Sequence, residues 1–205
     1  MSHAAAIDPS HAGIEPAESP LTPESWGKLG MWVFLAADAM SFGGLLAGYG
    51  ALRYVSPNWP VPKDVLGINM TAFMTFLLIV SSFTMVKALS ARRHGDIGRT
   101  KLFLFLTILG GASFLGMQAY EWSHLIHEGL TLSSNPFGSP LFGTTFFVLT
   151  GFHGCHVLAG VIYLTLTLVM TGRGTWGYNE VEITGLYWHF VDLIWILVFT
   201  FVYLI

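Results

Sequence analysis

Seven ionisable side chains lie inside runs that are otherwise apolar. Asp38 sits in "MWVFLAADAMSFGG", Glu121 and His124 in "MQAYEWSHL", and His153 and His156 in "TGFHGCHVLAG". His189 and Asp192 sit in "GLYWHFVDLIWILVF", with Glu182 just ahead of them. A charge in an apolar environment is costly and persists where it has a partner or a task. Residues three apart lie near one another on a helix face, so His153/His156 and His189/Asp192 each predict a polar patch. Glu121/His124 is an E-x-x-H unit of the kind that di-iron carboxylate bundles use twice. A di-iron site needs a second such unit and further carboxylates, and within the apolar runs this is the one E-x-x-H. Imidazoles from two helices could instead hold a haem, although "HGCH" surrounds its histidines with small residues that suit close helix contact. The structural alternative is that these side chains hydrogen-bond across helices and fix one packing, each contact contributing about 0.6–2 kcal/mol in a membrane. A proton or ion pathway is the fourth reading and requires the groups to be connected.

Asp38 has no basic residue within a turn or two, so it should be paired or protonated, with a histidine of another helix as a possible partner. A carbodiimide, which attacks buried protonated carboxyls, should then label it.

The elements that must position these residues follow from composition. Of the 205 residues, 53% are hydrophobic and 10% charged, where a soluble domain carries about 25% charged residues. The mean hydropathy is +0.61. The chain therefore reads as a polytopic membrane protein. Five apolar segments, at about 29–53, 68–89, 101–126, 140–170 and 182–204, each reach the roughly 20 residues that cross a bilayer as a helix. They are too long for membrane strands, and lipid leaves no partner for an exposed backbone. The fold class is all-α, a transmembrane bundle of five membrane-spanning helices in residues 26–205. Residues 1–25 read as a mobile polar tail with no basic n-region, so no cleaved signal peptide is expected.

The remaining features exclude several functions. Cys155 is the single cysteine, which rules out a disulfide framework and a cysteine metal site. The net charge is −3, and no basic patch suggests nucleic acid. The glycines of "FGGLLAGYG" (42–50) and "LGGASFLG" (109–116) predict close helix packing. Lys28, Lys87, Arg92, Arg93, Arg99, Lys101 and Arg173 fall on one side of a five-span bundle, against Arg53 and Lys63 on the other. That bias predicts a cytoplasmic N-terminus and an outside C-terminus.

Four stretches carry a family resemblance: "WGKLGMWVFLAADAMSFGGLLAGY" (26–49), "INMTAFMTFLLIVSSFT" (68–84), "GTTFFVLTGFHGCHVLAG" (143–160) and "LYWHFVDLIWILVF" (186–199). In this order they resemble subunit III of the haem–copper oxidases, over nearly all of 26–205. The resemblance implies a non-redox accessory subunit with no haem or copper of its own. It would lie beside the catalytic subunit I and subunit II, which carry those groups, in a bacterial plasma membrane. It implies bound phospholipid in a cleft between helices, and a five-helix form that lacks the first two spans of seven-helix relatives. It implies support of proton uptake during reduction of oxygen to water, with no catalytic residue in this chain. The family's buried carbodiimide-reactive glutamate corresponds to Asp38, one methylene shorter. Its paired histidines carry over to His153 and His156, its terminal pair to His189 and Asp192, and its acid after a glutamine to Glu121, which follows Gln118. Cytochrome c oxidases, quinol oxidases and a relative associated with nitric oxide reductase share this subunit type. The alternative from another class is a free-standing membrane oxidoreductase with a di-iron or haem site.

Overall fold

The structure, a computed structural model, describes residues 26–205; the expectation for the 1–25 tail lies outside the described residues. The helices are α1 (Trp26–Val55), α2 (Pro62–Val65), α3 (Ile68–Arg93), α4 (Ile97–His127), α5 (Pro140–Gly172) and α6 (Tyr178–Val198). A π-helical turn, Phe199–Leu204, continues α6. All but α2 are long and apolar enough to cross a membrane, α6 together with its π turn. The chain is a multi-pass membrane helix bundle. At 1.5 Å per residue the 33 residues of α5 run about 50 Å, longer than a hydrocarbon core and therefore tilted or protruding.

The α3–α4 and α5–α6 links are short, because caps close these helices quickly. Between α3 and α4, Gly95 takes a φ of +75°, and the Asp96 carboxylate accepts from the Arg99 amide at 2.9 Å to start α4. Between α5 and α6, Gly174 turns at φ +77° and the Glu180 side chain accepts from the Gly177 amide at 2.7 Å. The link between α1 and α3, residues 56–67, contains the single turn α2.

The core is built around α6. Trp188 is its keystone, inserted between glycines of two other helices. A methyl group on Gly111 of α4 would stand 2.4 Å from the Trp188 ring and 2.8 Å from Val161; one on Gly160 of α5 would stand 2.9 Å from the same ring. The indole Nε1 donates to Ser81 Oγ of α3 at 3.1 Å. One aromatic side chain thus ties four helices, and the small residues are what let it in.

α1 is held differently. Only 11% of its apolar stretch is buried, against 50% for the last span, and it packs on α5 and α6 alone to any extent. Lys28 donates to Glu182 at 3.1 Å near one end, and Arg53 donates to the Ile205 carbonyl at the other. The expected close packing of glycines is met at Gly110 and Gly111, but Gly43, Gly44, Gly48 and Gly50 have nothing within 4 Å of a Cβ position. Their face of α1 is open in this chain.

Candidate functional site

The polar side chains of the sequence analysis do not converge on one centre. They divide according to which helix neighbours each one.

Asp38, 8% exposed, lies near the middle of α1, and His156 lies at the middle of α5. His156 Nε2 is 3.3 Å from Asp38 Oδ1. The other ring nitrogen, Nδ1, is 2.7 Å from the Phe152 carbonyl one turn back. A carbonyl only accepts, so Nδ1 carries a proton, and in the neutral ring Nε2 is then an acceptor. An acceptor facing an ionised carboxylate would set lone pair against lone pair. The contact is attractive only with one proton between Oδ1 and Nε2, whether on the acid or on the imidazole. Phe42 and Phe152 place their ring centroids 5.2 and 4.6 Å from that of His156, which screens the pair from competing donors. Asp38 Oδ2 has no hydrogen-bond partner.

Glu121 lies near the end of α4, 5% exposed. Thr71 of α3 stands 3.0 Å from its Oε1, and the Tyr203 hydroxyl of the π turn donates to Oε2 at 3.0 Å. Three helix ends meet on one carboxyl group. Its E-x-x-H companion does not join them: His124 is 62% exposed and lies 3.7 Å from Glu128 of its own helix. Asp64, Glu121, His124 and Glu128 share the wall of an open cavity of about 390 Å³ at this end of the bundle. Among the described residues no group of three His, Cys, Asp or Glu could hold a metal ion.

The two i, i+3 pairs open into different surroundings. His153 is fully buried, stacked on Trp195 at 4.9 Å and edge-on to Phe114 at 5.7 Å, and neither ring nitrogen has a hydrogen-bond partner. It shares no polar patch with His156. His189 turns to α3, with Nδ1 2.5 Å from Ser82 Oγ. Asp192 is 7% exposed, its Oδ1 without a partner. The expected patch is therefore corrected for His153 and His156, whereas His189 and Asp192 both face Ser82 of α3. Positions i and i+3 differ by about 60° around a helix, enough in a tight bundle to meet different neighbours.

The partners that complete these contacts are mostly hydroxyls that sequence reasoning passed over. Thr75 accepts from Trp195 Nε1 at 2.9 Å, Thr167 and Thr184 face each other at 2.9 Å, and Gln118 Nε2 donates to the Thr150 carbonyl at 2.9 Å. Tyr187 donates to the His156 carbonyl at 3.0 Å. The signal was present in α3, where Thr71, Thr75 and Ser82 recur at spacings of four and seven and mark one face.

These features define a polytopic membrane bundle whose buried polar groups pair helix with helix and whose glycine-rich first span lies open on one face. Residues 26–205 match the family described as Cytochrome c oxidase subunit III, and the chain belongs to that family. It is 37% identical over 179 residues to quinol oxidase subunit 3 of Bacillus subtilis (strain 168), covering 86% of this chain and 85% of the relative. Cytochrome c oxidase subunit 3 of the same organism is 34% identical over 180 residues, covering 86% and 84%. Cytochrome c oxidase subunit 3 of Bacillus sp. (strain PS3) is 35% identical over 179 residues, again covering 86% and 84%.

Proposed function

We propose that this chain is the non-redox accessory subunit III of a haem–copper terminal oxidase in an aerobic respiratory chain. Subunits I and II hold the haem and copper and reduce oxygen to water; this chain braces the catalytic subunit and supports its proton uptake. The observation that carries the reading is the family match across all five spans. Relatives named for quinol and for cytochrome c oxidases lie at nearly equal identity, which fits a subunit that does not meet the electron donor.

The polar residues take distinct parts in this proposal. Asp38 and His156 share a proton at mid-membrane and lend it to the uptake path of the neighbouring subunit. Glu121, His189 and Asp192 brace the bundle on which the pair is mounted, and His153 packs among aromatic rings. The open face of α1 lies toward lipid or a neighbouring subunit, where phospholipids complete the surface. The bias of Lys and Arg toward one side supports a bacterial plasma-membrane protein with its N-terminus cytoplasmic and its C-terminus outside.

The test is purification in mild detergent with identification of what co-purifies. Recovery with a many-span haem–copper subunit is expected; recovery alone, with a metal or a haem spectrum of its own, would establish the oxidoreductase alternative instead. Removing the chain should leave the haem spectrum of the complex intact while activity decays faster during turnover.

A further inference from the structure

At the end of the bundle where α1 and α6 begin and α3 stops, a cavity of about 520 Å³ is lined by Val86, Leu89, Ser90, Arg93, His94 and Tyr178. We propose that a segment of this chain's own N-terminal region, "EPAESPL" (15–21), lies in it, with the Glu18 carboxylate on Arg93 and Leu21 against Val86 and Leu89.

Charge at this end is unbalanced. Seven basic residues, Arg93 among them, stand against Asp96, Glu180 and Glu182, an excess of four positive charges. Those three acids are already engaged: Glu182 accepts from Lys28 at 3.1 Å, Asp96 pairs with Arg99 at 3.3 Å, and the Glu180 side chain caps the Gly177 amide at 2.7 Å. Arg92 donates to the Trp176 carbonyl at 2.8 Å. Among the described residues no carboxylate pairs with Arg93. Residues 1–25 carry four acids, Asp8, Glu15, Glu18 and Glu24, and no Lys or Arg. The missing negative charge is thus in the same chain, and a guanidinium takes a carboxylate in a bidentate geometry.

The pattern of the segment fits the cavity. Pro16, Pro20 and Pro23 oppose a helix and favour polyproline II, which has three residues per turn. Glu15, Glu18, Leu21 and Glu24 recur at a spacing of three, so polyproline II presents them along one edge. A row of carboxylates interrupted by a leucine matches a wall that is basic at Arg93 and apolar at Val86 and Leu89. The prolines also lower the entropy lost when the segment is fixed.

The segment starts within reach. Lys28 holds Glu182, and a methyl group on Gly27 would stand 3.1 Å from Ile183, so α1 begins beside the first turns of α6. Tyr178, on the cavity wall, precedes Glu182 by one turn, about 6 Å along the helix. The stretch from Glu18 to Trp26 covers about 25 Å in polyproline II, enough to pass one helix and enter the cavity. So short a tether holds the segment at an effective concentration of order millimolar. Seated there, it straps α1, the least buried span, to α3, whereas α1 otherwise packs on α5 and α6. The inference needs only that α1 and α6 begin at one end of the bundle, so it stands or falls separately from the oxidase reading.

The experiment uses the full chain, purified in mild detergent together with whatever it assembles with, carrying the photo-crosslinker benzoylphenylalanine in place of Leu21. Adducts are mapped by mass spectrometry and are expected within residues 86–94 or at Tyr178. Arg93→Glu and Glu18→Arg should each lower their yield about fivefold, the order that reversing one partner of an exposed ion pair gives. The two changes together restore opposite charges and should recover most of the yield, which a variant that merely disturbs the fold would not do. Arg99→Glu, outside the cavity, should change the yield by less than about twofold. Unchanged yield in both single variants overturns the proposal, and so does a loss that persists when the charges are exchanged. Adducts on a co-purifying polypeptide or on lipid instead of residues 86–94 and Tyr178, or no adducts at all, place the segment elsewhere and overturn it too.

Discussion

Two carboxyl groups buried in one bundle are held in opposite ways. Glu121 has a hydroxyl on each oxygen, Thr71 at 3.0 Å and Tyr203 at 3.0 Å, supplied by two other elements. Asp38 has one contact, with a histidine at 3.3 Å, and its second oxygen has none. A carboxyl group with a hydroxyl on each oxygen has both oxygens engaged. An acid facing an imidazole acceptor is satisfied only by a proton between them. The difference follows from the elements: Glu121 joins the ends of three helices, while Asp38 sits on the span with the least buried surface. The well-held acid is thus an anchor, and the under-satisfied one is the candidate for proton traffic.

Glu121 offers the largest effect. Glu121→Ala should cost about 2–3 kcal/mol, because two buried hydroxyls lose their acceptor together. Glu121→Gln keeps one acceptor oxygen and should cost roughly half of that. Thermal unfolding midpoints in one detergent give the ratio. Equal losses for the two variants would show that shape, not hydrogen bonding, holds this end.

The glycine stretches test the packing half of the comparison. Gly111→Ala pushes a methyl into Trp188 and Val161 and should destabilise by about 1–3 kcal/mol, the usual cost of overfilling a core. Gly44→Ala on α1 meets nothing within 4 Å and should be neutral or stabilising by up to about 1 kcal/mol through helix propensity. If the two changes cost the same in the isolated chain, the contrast in packing is wrong.

Asp38→Asn should change stability by less than about 1 kcal/mol, since one long contact is exchanged for a neutral one. Its effect should appear in chemistry. A carbodiimide should label the wild-type chain at residue 38 and leave the variant unlabelled there, and turnover limited by proton uptake should slow. Labelling at Glu121 in preference to Asp38 would reverse the assignment of the two acids.

How much of this was legible in the sequence differs between the acids. The five spans follow from length and apolarity alone, and four stretches in order, "YWHFVD" and "TGFHGCH" among them, carried the family resemblance. Asp38 stood out because no basic residue lies near it, and a histidine on another span was a partner that the chain could offer. Glu121 was drawn toward the wrong companion. His124 is its neighbour in sequence, but a helix end carries one side chain inward and the other out, and the true partners lie 50 and 82 positions away. Hydroxyls are unremarkable letters in an apolar run, so Thr71, Ser82 and Tyr203 gain their meaning only when the helices are brought together. Glycine was equally ambiguous: the same composition packs against a tryptophan in α4 and faces outward in α1.

The smallest effect belongs to one of the two histidines of "HGCH". His153 is fully buried, and both ring nitrogens lack hydrogen-bond partners among Trp195, Phe114 and Phe42. A polar group buried without a partner costs desolvation that an apolar ring of similar size does not. His153→Phe should therefore be neutral or stabilising, within about 1 kcal/mol once the slightly larger ring is accommodated. His156→Phe, three residues on, should instead remove the acceptor that faces Asp38 and alter carbodiimide labelling at residue 38. Measuring both the melting midpoint and the labelling in the two variants separates a histidine that only packs from one that holds a proton. If His153→Phe changes the labelling as much as His156→Phe does, the two rings act as one unit and the division between them fails.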